Sequence, residues 1–291
     1  MSFKAKVFED VSWRRLAIGM FLTWILSLSV HAMILQWLHV PYPAARFDSA
    51  LTAFSNDAMA IYAACWLYGC MRLRFPSWSV SCLILVLFAL LSGLNETLRG
   101  GFMNAYCSTP RLTGWIFPTI SSIRNEAYYA VIALVAAVVN QFRSISLKFT
   151  VATLSAVLLS FIIVPGLGRA TAGVMNYFVH LAPSGGWCKL PYGVDVLLPA
   201  WLTFIEPVLA CLFCVAFAWP HIAERRTTKI FLFMVMVLAL KKQLLMAFFY
   251  ASFAPVPFWA GLLSMGQFTL EAALLGLLMA CSWFYAKNNR Q

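Results

Sequence analysis

The chain has 291 residues, 62% of them hydrophobic and only 11% charged, with a mean hydropathy of +0.82 and a formal net charge of +11. A soluble domain carries about 25% charged residues, so this composition excludes one and calls for a membrane protein. The basic excess reads as membrane topology rather than a nucleic-acid footprint, because the cations cluster between apolar runs.

Runs of about 20 apolar residues, the length that crosses a bilayer, recur along the chain. They fall at 16–38, 57–73, 79–99, 126–142, 149–168, 197–219, 229–253 and 258–286. They predict an all-α polytopic integral membrane protein of about eight transmembrane helices, folded as a single domain over 1–291. With an even span count, thirteen Lys and Arg fall on the side of the termini and six on the other. The positive-inside rule then makes both termini cytoplasmic, and a bacterial-type inner membrane is the expected location.

Before the first span, Phe3, Val7 and Val11 recur at helical spacing among basic residues, which predicts a short amphipathic helix on the cytoplasmic face over 1–15. The first apolar run has no small-residue cleavage site directly after it and is followed by further spans, so it reads as a span rather than a cleaved signal. His31 within it reads as a hydrogen-bonded interior histidine. The outer loop at about 39–56 sets Phe47, Leu51 and Phe54 on one face of a short helix lying flat on the membrane.

The third span ends in LSGLNETLRGG, where Asn95, Glu96 and Arg99 share a turn and Glu96 can pair with Arg99 at i, i+3. The fourth span opens with Arg124, Asn125 and Glu126, which the topology brings to the same outer level. The outer loops at about 100–125 and 169–196 are the longest connections and carry Cys107 and Cys188. On an oxidising face these form one disulfide, or else stand as two loop thiols. Pro165 with Gly166, Gly168 and Gly173 predicts a helix broken into a cavity-lining segment. His180, in the same loop, is the histidine placed for acid–base work. Cys211 and Cys214 form a C-x-x-C inside an apolar span without polar flanks, and read as core.

Three spans carry charge at mid-depth: Glu206 in the sixth, Lys241 and Lys242 in the seventh, Glu271 in the eighth. Each ammonium there costs at least about 2.5–3.5 kcal/mol, so it must find carboxylate, water or an anionic ligand. Successive helical residues point about 100° apart, so one lysine faces the interior and the other a neighbouring helix or the interface. No histidine pair has metal-ligand spacing, and no phosphate-cradling glycine motif occurs, so neither a metal nor a cofactor is expected.

The expected site is a charged cavity opening on the outer face. Arg99, Arg124, Lys241, Lys242, Glu206 and Glu271 are the substrate-binding candidates; Glu96, Glu126 and His180 are the catalytic ones. Handling or modification of an anionic lipid or lipid-linked substrate is the leading reading. A transporter or flippase using the mid-membrane charges is the alternative. A non-catalytic subunit, whose buried charges complete those of a membrane-protein partner, is the third. Membrane lipid is the expected partner in the first two.

Overall fold

The fold is that of a computed structural model, which describes residues 8, 10–43, 49–109, 111–182, 185–189, 191–222 and 225–287. It is almost wholly helical: α1 (Trp13–Ala32), α2 (Ala50–Arg74), α3 (Val80–Leu94), α4 (Thr97–Tyr106), α5 (Arg111–Val139), α6 (Ile145–Leu158), α7 (Val164–Tyr177), α8 (Val194–Thr203), α9 (Ile205–Ala218), α10 (Arg226–Leu240), α11 (Met246–Phe253) and α12 (Phe258–Lys287). Three helices start at a serine, Ser49, Ser79 or Ser144, whose hydroxyl accepts a backbone N–H of the first turn. That satisfies donors the helix itself leaves open.

Five helical stretches are long and apolar enough to cross a membrane: Trp13–Trp37, Pro118–Val139, Ile145–Tyr177, Val194–His221 and Phe258–Lys287. The pair α3–α4, bent by 44°, makes a sixth if taken as one span. The count of eight is therefore not reached on length and apolarity. The two that fall short are the expected spans at 57–73 and 229–253. The first lies in α2, which starts earlier, at its Ser49 cap, and carries Asn56, Asp57, Arg72 and Arg74. The second is interrupted between Leu240 and Met246, leaving helices of 15 and 8 residues.

Helix also reaches into the expected loops: α4 and the start of α5 occupy much of 100–125, and α7 runs on to Tyr177. No break occurs at Pro165. A π-turn (Leu159–Ile163) precedes it and joins α6 to α7, so the proline sits in the first turn of α7, where a missing N–H costs nothing. Most of the expected amphipathic helix over 1–15 lies outside the described residues, as does Phe47. Phe8 packs its ring 5.7 Å from that of Trp283.

The bundle has a hydrophobic core with a small set of polar and charged groups buried within it, and an apolar outer surface. On α1, Ile18, Phe21, Leu22 and Ile25 are exposed at helical spacing, while Thr23, Ser27 and His31 are buried on the opposite face. Lipid is the solvent such a stripe suits. α12 packs along α1, α10 and α11. Close approach there depends on small residues: a Cβ on Gly19 would stand 2.4 Å from Ser282 Cβ, and one on Gly276 3.0 Å from Met234 Cα. At one end, two-residue strands β1 (Ser108–Thr109) and β2 (Gly185–Gly186) pair antiparallel. Beside them Cys107 and Cys188 form a disulfide, with Cα atoms 5.3 Å apart.

Candidate functional site

Two helix breaks meet inside the bundle. The first separates α3 from α4 at Asn95–Glu96, where Glu96 adopts the left-handed conformation (φ 58°). The second separates α10 from α11, where Lys242 does the same (φ 56°). Left-handed backbone is unfavourable for any residue with a Cβ and persists only where the surroundings hold it. Here they do. Asn95 Nδ2 donates to Leu91 O (2.9 Å) and across to Leu240 O (3.2 Å), the last carbonyl of α10. The freed first turn of α4 finds a carboxylate: Leu98 and Arg99 donate their backbone N–H to Glu206 at 3.1 and 2.6 Å. An anion at a helix N-terminus is favoured by the dipole as well as by the hydrogen bonds.

From these breaks a chain of charged contacts runs across four helices. Arg99 and Lys241 both donate to Glu96, Lys241 at 2.5 Å. Lys241 Nζ also donates to Glu271 Oε1 at 3.1 Å, and Glu271 Oε2 faces His31 Nε2 at 2.6 Å. His31 Nδ1 lies 2.8 Å from Gln267 Oε1, an orientation set because Gln267 Nε2 donates to Ser264 O. An amide oxygen only accepts, so Nδ1 carries hydrogen. The other ring nitrogen faces a carboxylate, so the His31–Glu271 contact holds one proton between its two members. The lysine, Glu271 and Gln267 are all buried. A closed, hydrogen-bonded set of this kind is what makes ions tolerable at such depth.

His31, Tyr42, Glu96, Arg99, Lys241 and Glu271 line a cavity of about 600 Å³ that reaches the Cys107–Cys188 loops. Arg99 and Lys241 offset its two carboxylates, and the proton shared by His31 and Glu271 is additional to that balance. On the far side of the α10–α11 break lies a second cavity of about 400 Å³, lined by Thr52, Asp57, Arg124, Tyr128 and Lys242. Lys241 and Gln243 border both. Lys242 thus borders only the second cavity, while Lys241 borders both, and the left-handed Lys242 at the break turns the two side chains apart.

Glu96, Arg99, Lys241 and Glu271 thus come together, with Glu206 one layer behind them. Arg124 and Lys242 stand apart in the second cavity. Glu126 accepts from Ser92 Oγ (2.7 Å) and ties α5 to α3. His180 is exposed in a short 3-10 turn (Val179–Leu181), away from both cavities, with its ring near Phe178. The three catalytic candidates do not share a cavity. Sequence reasoning passed over Asp57, whose carboxylate accepts from Tyr128 Oη (2.6 Å) and Ser160 Oγ (2.8 Å). It also missed the partnership of His31 with Glu271. A signal existed for the latter: Gly19, Thr23, Ser27 and His31 recur every four residues, a small and polar stripe on an apolar helix. The chain matches no protein-family model, no curated protein and no solved structure.

Proposed function

We propose that this multi-span membrane protein is a carrier or flippase that takes a polar substrate into the larger cavity from the disulfide-bearing face. That face is the outer one of a bacterial-type inner membrane, with the termini opposite. One observation carries the reading: two unwound segments, each interrupting an otherwise apolar helix, meet at the cavity floor through Lys241–Glu96 and Asn95–Leu240. Discontinuous helices with charged residues at their breaks supply both a binding site and a place to bend. Arg99 and Lys241 receive an anionic group of the substrate, Glu96 and Glu271 release them as it arrives, and Glu206 anchors α4. The proton between His31 and Glu271 is the natural coupling ion. A substrate that carries an acyl or polyprenyl tail makes the protein a flippase rather than a carrier of solutes.

A second reading, chemistry on a lipid-linked substrate in the same cavity, is favoured by the His31–Glu271 pair, an acid–base couple facing that space. The two readings separate by access. With the native free cysteines removed and Asn95→Cys introduced, a membrane-impermeant thiol reagent applied to oriented vesicles should label position 95 from both faces. Labelling from the disulfide face alone, both in this background and with Lys241→Met added, would sink the carrier and leave the enzyme.

A further inference from the structure

The smaller cavity holds a cation that the rest of the fold does not neutralise. Lys242 Nζ sits 3.8 Å from the centroid of the Tyr128 ring, and no carboxylate among the described residues lies within ion-pairing distance of it. Asp57 is the nearby acid, and its two oxygens are committed to Tyr128 and Ser160. These bonds fix the phenol ring, whose π face the ammonium then covers. Arg124, exposed at the rim of the same cavity, adds a second cation. Its guanidinium lies against α7 at Gly168, where an added Cβ would stand 3.5 Å from the guanidinium carbon, ordinary contact. Two cations against one committed carboxylate leave the cavity one negative charge short.

A further group lacks a partner. Thr52 is 95% buried, lines this cavity, and its hydroxyl makes no hydrogen bond. A buried hydroxyl without a partner is costly, and a bound ligand is one remedy. The donors come from α2, α5 and the α10–α11 break, so three separate elements can each meet one oxygen of an anion such as a phosphoryl group. Val164, Leu167 and Met246 supply an apolar wall beside them.

We infer that the cavity between α2, α5 and the α10–α11 break binds a phosphoryl group, held by Lys242, Arg124 and Thr52. It is a site separate from the larger cavity and does not depend on what passes there. The phosphoryl group comes from a lipid headgroup or from a free phosphate, and both sources present the same chemistry. Binding cancels the charge on Lys242 and so bears on the shape of the break that Lys241 shares.

The test uses the full chain and two probes. Equilibrium dialysis against radiolabelled inorganic phosphate reads the free ion. Native mass spectrometry from nanodiscs of phosphatidylcholine with phosphatidylglycerol reads the headgroup. The parent should retain at least one probe, with phosphatidylglycerol kept in preference to phosphatidylcholine if the lipid is the source. Lys242→Met and Arg124→Gln should each weaken the retained probe at least tenfold. Arg124 is exposed, so its variant decides the matter if Lys242→Met fails to fold. No retention of either probe by the parent, or undiminished retention by a folded variant of either residue, overturns the inference. Thiol labelling at position 95 is unaffected by that result, so this site and the carrier reading fail separately.

Discussion

Lys241 and Lys242 are neighbours in sequence, equally costly to place within a membrane, and held in opposite ways. Lys241 is enclosed by Glu96 and Glu271 and bridges two helices to a third. Lys242 leans on an aromatic face with its nearest acid already engaged. The first is a keystone of the fold, and the second is held in reserve for something outside it. The same charge in the same peptide can thus be structural or available, and what separates the two is whether a carboxylate stands within ion-pairing distance.

The contrast is sharpest in what deletion leaves behind. Lys241→Met strands Glu96 and Glu271 without their shared cation, and should cost about 3–5 kcal/mol, as loss of one partner from a buried pair does. Adding Glu271→Gln should recover part of that, since the residues act as one network. Thermal unfolding in detergent reads both. Equal stability of Lys241→Met and parent would show that the network is not structural. Cys107→Ser should cost about 2 kcal/mol, the lower end for a disulfide, because inserted helices already confine the loops it joins. It should loosen the larger cavity and leave phosphoryl retention in the smaller one unchanged; a loss there would end the separation between the two. Non-reducing peptide mapping of the parent should recover residues 107 and 188 in one cross-linked species.

Glu206→Gln should cost about 1.5 kcal/mol, within the range for a hydrogen bond to a charged group. Gln retains one acceptor but loses the charge that the N-terminus of α4 favours. The effect should appear as faster hydrogen exchange at Leu98 and Arg99, and unchanged exchange there would remove Glu206 from its anchoring role. Lys242→Met should move stability by less than about 1 kcal/mol, the scale of a cation–π contact. A loss as large as that of Lys241→Met would show the two lysines to be alike after all.

Much of this arrangement was legible in the sequence, and the part that was not has a common cause. Lys241 and Glu271 were readable because charge inside an apolar run is expensive wherever it points, and Glu96 with Arg99 because their i, i+3 spacing allows a pair. The adjacent lysines were expected to diverge because successive helical residues do, but the helix ends at Leu240, and it is the left-handed Lys242 that turns them apart. The helix breaks were not readable. Pro165, the expected break, is absorbed by a π-turn, whereas the actual breaks fall at Asn95–Glu96 and after Lys241, with no proline at either. They are stabilised from a distance, by Glu206 and by the Asn95 amide, and such partners cannot be inferred from local sequence. Asp57 was hidden for a related reason. It lies near the expected edge of a span, and only the earlier start of α2 carries it inward. The span count suffers likewise, since an interrupted helix and a polar one do not register as continuous apolar runs.

The disulfide has a consequence for how the larger cavity opens. Cys107 and Cys188 both border it, and the bond between them closes a covalent hoop through α5, α6 and α7. The bond holds the two loops together at that rim. Tyr42 also lines the cavity, stacked on Phe268 at 5.7 Å, with the His31 ring 4.9 Å from Phe268 and 5.9 Å from Tyr42. In the carrier proposed above, a substrate that displaced Tyr42 would uncover one side of the His31 ring, leaving Phe268 on the other.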